Sequence, residues 1–164
     1  MSIKHGIWKI ENSSGKPEPK KLSTTQLDKE KILEELILKD ISILDENWLL
    51  IGQQVHTNSN KFIDLLAIDG DGSLIIIELK KDKTPRDVVA QSLDYAAWVE
   101  TLSEDKIREI YSLFTGGQSL NDGFSKKFNF DISSSAVEIN AKHKMVIVAT
   151  ELDDVTERIV NYLK

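Results

Sequence analysis

Asp64, Glu78 and Lys80 are the residues whose types and spacing could do chemistry. Glu78 and Lys80 stand two apart at the end of an apolar run. On a strand they project from one face while Leu79 points the other way. Asp64 lies in the preceding apolar run, Phe62–Ile68. With a tight turn over 69–72, residues of the two strands pair when their numbers sum to about 141 to 142. That register sets Glu78 across from Ile63 or Asp64. Two carboxylates and an ammonium inside apolar strands are costly unless something compensates. A divalent cation that favours hard oxygen ligands, Mg²⁺ or Mn²⁺, would do so. Such an ion polarises a phosphodiester, supplies hydroxide near neutral pH and stabilises the charge that builds up at phosphorus. A lysine beside it orients or deprotonates the attacking water, or neutralises the phosphate. The competing reading is a buried ion pair of Lys80 with Asp64 or Glu78 that serves only packing. A packing pair needs one acid, and two in register with the lysine weigh for chemistry.

Weaker supports surround this trio. Glu30 and Glu34 are one helical turn apart and share a face, while Glu35 points elsewhere. Glu34 follows Leu33 on the side that faces the sheet, so it is the expected third acid, with Glu30 as the alternative. Either could equally be a solvated residue of an acidic helix. Gln91 and Tyr95, also one turn apart, could reach back to the carboxylate and to a phosphate backbone. Their plainer reading is a helix-surface hydrogen bond and an aromatic at the core edge. Lys81, Lys83 and Arg86 continue from Lys80 as a basic strip, the expected contact to nucleic-acid phosphates.

The elements that must position these residues can be read from periodicity and breakers. Residues 3–10 read as a strand, Asn12-Ser13-Ser14-Gly15 as a turn, and Pro17 and Pro19 keep the next segment extended. This predicts an N-terminal hairpin or arm over 1–22, packed on a domain of 23–164. Leu27, Ile32, Leu33, Leu36 and Ile37 recur at helical spacing from Thr25 to about Asp40. Three β-prone runs follow, Trp48–Val55, Phe62–Ile68 and Leu74–Leu79. Asn58-Ser59-Asn60 and Asp69-Gly70-Asp71-Gly72 divide them, which predicts an antiparallel meander. The third run is apolar throughout, as a central strand covered on both faces would be. Thr84, Pro85 and Asp87 predict a helix start, with Val88, Val89, Leu93, Ala96 and Ala97 on its buried side and Trp98 as a further candidate. A second helix is expected from Glu104 to Phe114, after Ser103 and before Gly116-Gly117. Residues 116–142 give no clear pattern. Lys144–Thr150 reads as a buried strand, and Asp153 or Asp154 caps a last helix to Tyr162. The fold class is α/β, and Trp8, Trp48 and Trp98 are expected to anchor the core.

Composition narrows the class. The 164 residues suit one domain with a real core, and no cysteine is present, which removes disulfides and zinc-thiolate sites. No signal-peptide pattern and no membrane-length apolar run occur, so a soluble, cytoplasmic protein without membrane contact is expected. His5, His56 and His143 form no ligand pair, and no glycine-rich phosphate loop is present. The net charge of −6 weighs against tight, non-specific DNA binding, although the acids concentrate away from the strip at 80–86.

Lys61–Gly72, then Ile75–Lys80, then Gln91–Tyr95 together resemble the catalytic domain of NucS-type endonucleases and their uncharacterised relatives, within the PD-(D/E)xK, restriction-endonuclease-like superfamily. The similarity covers roughly 25–100. The N-terminal arm and the tail from Val146 look like those of the uncharacterised relatives. The resemblance implies an αβββαβ core with a mixed central sheet flanked by helices, and a Mg²⁺- or Mn²⁺-dependent endonuclease acting on DNA in repair or defence. It implies Glu34 as the first-motif acid, Asp64 as the second, Glu78 with Lys80 as the ExK motif, and Gln91 with Tyr95 as the QxxxY helix. Asp64, Glu78 and Glu34 would hold the metal. Many nucleases of this fold dimerise to cut both strands, so a homodimer is among the expectations. The residues before the core are too few for the separate DNA-binding domain of NucS, so no preference for branched or mismatched substrate is expected from the resemblance. The alternative is a catalytically silent nuclease-fold module that binds DNA or protein. The ending Tyr162-Leu163-Lys164, without a closing Gly or Pro, predicts that this is the nuclease part of a longer protein.

Overall fold

The structure, a computed structural model, describes residues 8–13, 16–21, 30–84, 87–134 and 136–163. Trp8–Ser13 (β1) and Lys16–Lys21 (β2) pair antiparallel, Trp8 against Lys21 and Ser13 against Lys16. They form a two-stranded sheet of their own. The strand expected at 3–10 is thus described from Trp8 onward and runs on to Ser13.

The second sheet has four strands in the order β3-β4-β5-β6, namely Trp48–His56, Phe62–Asp69, Leu74–Thr84 and His143–Leu152. β3, β4 and β5 form the antiparallel meander that their divider residues predict, and β6 joins β5 in parallel. A parallel neighbour requires a crossover. Here it is long: α2 (Asp87–Glu100), α3 (Glu104–Thr115) and α4 (Leu120–Phe128) all lie between β5 and β6. α1 (Glu30–Lys39) precedes the meander and α5 (Asp154–Leu163) follows β6. The αβββαβ order is therefore present, with α3 and α4 inserted into its crossover.

Two cores sandwich the sheet. Ile51, Leu66, Ile68, Leu74 and Ile76 pack with Tyr95, Val99, Ile107 and Phe124 from α2 to α4. Leu65, Ala67, Ile75, Ile77 and Leu79 pack with Ile37 of α1. The residues of Leu74–Ile77 and Leu79 are all at most 1% exposed and alternate between these cores, as a central strand covered on both sides must. Each such side chain contributes about 1.5–3 kcal/mol by burial. Trp48 joins the α1 side and Trp98 the other, while the side chain of Trp8 lies outside the description.

The β4–β5 turn fixes the register. Asp69 accepts hydrogen bonds at Oδ1 from the Asp71 and Ser73 amides, both at 3.0 Å. Gly72 has φ +83°, and a Cβ there would fall 2.7 Å from the Glu138 carbonyl oxygen. Glycine is thus required twice over, by backbone hand and by space. Leu65 through Ile68 pair with Ile77 through Leu74, the register the turn predicts.

Helix ends mostly follow their expected signals. Ser103 caps α3, accepting from the Lys106 amide at 3.3 Å, and Gly116 ends it at φ +72°. Of the two acids expected to cap α5, Asp153 does so, accepting from the Val155 and Thr156 amides. Thr84, expected to cap α2, is the last residue of β5 instead. α2 is described from Asp87, and Pro85 and Arg86 lie outside the described residues, as do 25–29 of the helix expected from Thr25. The unreadable stretch 116–142 contains α4, capped by Ser119 and closed by Asn129 at φ +63°. Among the described residues, no helix is long and apolar enough to cross a membrane.

Candidate active site

The β4–β5 ladder stops at Leu65↔Ile77, one residue short of Asp64 and Glu78. Beyond it the Leu79 amide donates not to a strand carbonyl but to Asp64 Oδ2, at 2.9 Å. Ile63 joins the α2-side core while Leu65 joins the α1-side core, although a regular pleat would place them together. The sheet therefore opens at Asp64, and its carboxylate occupies the gap.

Glu78 is only 2% exposed. Its Oε1 lies 2.9 Å from Lys80 Nζ, so the pair two apart on β5 meet as the strand period requires. Its Oε2 is buried and has no hydrogen-bond partner among the described residues. Burial raises the Glu78 pKa above the ordinary glutamate range. The hydrogen bond from Lys80 opposes this, and the charge of Asp64 adds to it. Lys80 is pulled down by its own desolvation. The Glu78 hydrogen bond and the charges of Glu78, Asp64 and Glu30 outweigh that and leave its pKa above the usual value. Lys80 is thus a cation at neutral pH. Of the roles open to it, orienting water and neutralising phosphate charge fit this state, and abstracting a proton does not.

Glu34 reaches this region from α1, partly buried, as its place after Leu33 predicts. It meets two residues that the sequence reading passed over. Gln53 and Gln54 on β3 both donate to Glu34 Oε1 at 3.1 Å, and the same Gln54 amide donates to Asp64 Oδ1 at 3.3 Å. Two adjacent polar residues after Gly52 in an otherwise apolar strand were the available signal. Glu30, one turn earlier, acts on Glu78 and Lys80 through its charge.

Gln91 and Tyr95 sit one step back from where they were expected. The Tyr95 hydroxyl, almost fully buried, donates to the Phe62 carbonyl at 2.8 Å and accepts from Gln91 Nε2 at 2.5 Å. It is bonded to the backbone two residues before Asp64 rather than to a carboxylate. Burial raises the Tyr95 pKa, with the charges of Glu78 and Asp64 adding to it, so it remains a neutral donor. The backbone of Lys81 and Lys83 belongs to β5, where the pairing with β6 shifts register after Lys80. The Lys81 and Lys83 side chains and all of Arg86 lie outside the described residues.

The donor set suits a hard cation: carboxylates of Asp64 and Glu78, one buried carboxylate oxygen without a partner, and Glu34 held nearby. Leaving such an oxygen unsatisfied costs about 1–3 kcal/mol or more. Among the described residues, however, no three acids or histidines already converge as a closed metal cage.

Residues 29–127 match the family described as the endonuclease NucS C-terminal domain. Two solved structures are similar to this chain. One is EndoMS in complex with double-stranded DNA, at TM-score 0.50 and 17% identity, over 86% of this chain and 43% of that one. The other is a repair endonuclease from Pyrococcus abyssi, at TM-score 0.49 and 14% identity, over 96% of this chain and 61% of that one. This chain therefore spans less than two thirds of either.

Proposed function

The chain belongs to the endonuclease NucS C-terminal domain family, and on that premise we propose that it is a PD-(D/E)xK-type nuclease that hydrolyses DNA phosphodiester bonds with a divalent metal. The observation that carries this is the opened sheet at Asp64, with the buried, half-satisfied Glu78 and the charged Lys80 beside it. Asp64 and Glu78 would hold Mg²⁺ or Mn²⁺, with Glu34 as the third acid. Bound there, the ion supplies Lewis-acid polarisation of the phosphodiester and a hydroxide at neutral pH. Lys80 keeps Glu78 oriented and sets a positive charge where the phosphate would lie. The Leu79 amide and Gln54 fix both oxygens of Asp64, so its rotamer is set before substrate arrives. The Gln91–Tyr95–Phe62 chain anchors the strand just upstream. Lys81, Lys83 and Arg86 supply phosphate contacts, and a homodimer would bring two sites to two strands.

The lack of a closed three-acid cluster among the described residues favours a second reading, a silent module that binds DNA without cutting it. Single-stranded, duplex and branched DNA incubated with Mg²⁺ or Mn²⁺ separates the two. The nuclease cuts at least one of them, and Asp64→Ala and Lys80→Ala each lose on the order of a hundredfold or more, as loss of electrostatic stabilisation in a site implies. Equal activity of the variants ends the assignment. Binding by wild type without cleavage establishes the silent module.

A further inference from the structure

We propose that Gln54 is a positioning residue, whose amide gathers Glu34 and Asp64 into one metal-receiving set. The proposal rests on the metal-dependent reading above and extends the part which that reading gives Gln54, from Asp64 alone to Asp64 and Glu34 together. Its primary amide has two N–H donors, and both are used, one on Glu34 Oε1 at 3.1 Å and one on Asp64 Oδ1 at 3.3 Å. Between two carboxylates only the nitrogen end of an amide can sit, so the orientation of the group is fixed by its neighbours. Two carboxylates facing each other repel. A shared donor offsets that repulsion while the site is empty of metal.

The backbone is arranged for this contact. Gln53 and Gln54 are adjacent, and on a regular strand their side chains would leave opposite faces. Both nevertheless reach the same oxygen of Glu34. They can because Gln54 takes φ +47°, a left-handed conformation disfavoured for glutamine, just after a register shift between Leu50 and Gly52. β3 pairs Gln53 with Leu65 and Val55 with Ile63, which sets Gln54 opposite Asp64. An irregular backbone that aims one side chain at two acids is the kind of local strain found at functional sites.

Mn²⁺ binding to the full chain without DNA, followed by calorimetry, tests this in wild type, Gln54→Ala, Gln54→Gly and Gln53→Ala. Both Gln54 variants bind Mn²⁺ on the order of tenfold more weakly, the loss typical of removing a hydrogen bond to a ligating carboxylate. Gln53→Ala, which touches Glu34 alone, loses less. In parallel cleavage assays the metal concentration at half-maximal rate rises in the Gln54 variants by a larger factor than the maximal rate falls. Gln54→Gly accepts the left-handed φ without strain, so equal losses in the two variants assign the effect to the amide. It also serves where Gln54→Ala fails to fold. Wild-type Mn²⁺ affinity in Gln54→Gly overturns the proposal, as does a lost maximal rate at unchanged affinity. A wild type that neither binds Mn²⁺ nor cleaves removes the nuclease reading itself, an outcome distinct from a variant that behaves as wild type.

Discussion

At the scale of single residues, the state of Glu78 governs the site. Its pKa is raised, chiefly by burial. A carboxyl with a folded pKa above its unfolded one holds more protons when folded, so its ionisation opposes folding as pH rises through that window. At neutral pH the metal-free protein therefore carries Glu78 as a cost. A cation that binds the ionised, folded form reverses the sign. Mn²⁺ at a hundredfold over its Kd should raise unfolding stability by about 2.7 kcal/mol at about pH 8. The gain should fade as pH drops through the raised Glu78 pKa, and Asp64→Ala should not show it. Thermal melts with and without Mn²⁺ at about pH 8 and pH 5 check this linkage, and an equal gain in Asp64→Ala would place the ion elsewhere. Asp64, Glu78 and Lys80 were legible because carboxylates in apolar strands stand out by cost. Gln53 and Gln54 were not, because a neutral amide in a strand carries no such signal until the backbone reveals where it points.

At the scale of elements, one turn decides whether the site forms. The ladder that ends at Leu65 and Ile77 brings Asp64 and Glu78 to the same end of the sheet only if the loop keeps its length and shape. A one-residue slip would turn one partner to the other face. Gly72→Ala meets both a left-handed φ and the Glu138 carbonyl at 2.7 Å. It should cost about 1–3 kcal/mol, within the range for strained backbone positions. Chemical denaturation measures that cost, and an unchanged midpoint would show that the turn tolerates a side chain. The meander, α3 and its caps were legible because turn residues and helix caps act locally. α4 was not, although Leu120, Phe124 and Phe128 recur every four residues. Its polar intervening residues and Gly123 lower helix propensity, and packing overrides that. A Cβ on Gly123 would collide with the Tyr111 ring, so a residue poor for the helix suits its contact.

At the scale of the whole molecule, charge sets how DNA can be met. The chain carries a net charge of −6, and Lys80, Lys81, Lys83 and Arg86 fall within seven positions of one another. If Lys81, Lys83 and Arg86 make the phosphate contacts, log Kd against log salt should have a slope of magnitude about 2.7, from roughly 0.9 per phosphate neutralised. Titrating an Asp64→Ala variant with duplex DNA over a salt series gives this slope, and a value twice as steep would mean further basic surface is engaged. The α/β class could be read from element order, whereas the parallel pairing of β6 with β5 and the long crossover through α3 and α4 could not, since periodicity says nothing of what pairs with what. The central claim, metal-dependent hydrolysis at Asp64, Glu78 and Lys80, is met most directly by one comparison. Single-turnover cleavage of end-labelled DNA with Mn²⁺ is measured for wild type and Glu78→Gln, a change that keeps the shape and removes the charge. The account predicts cleavage by wild type, a loss on the order of a hundredfold or more in the variant, and unchanged DNA affinity. Cleavage by Glu78→Gln at the wild-type rate would contradict it.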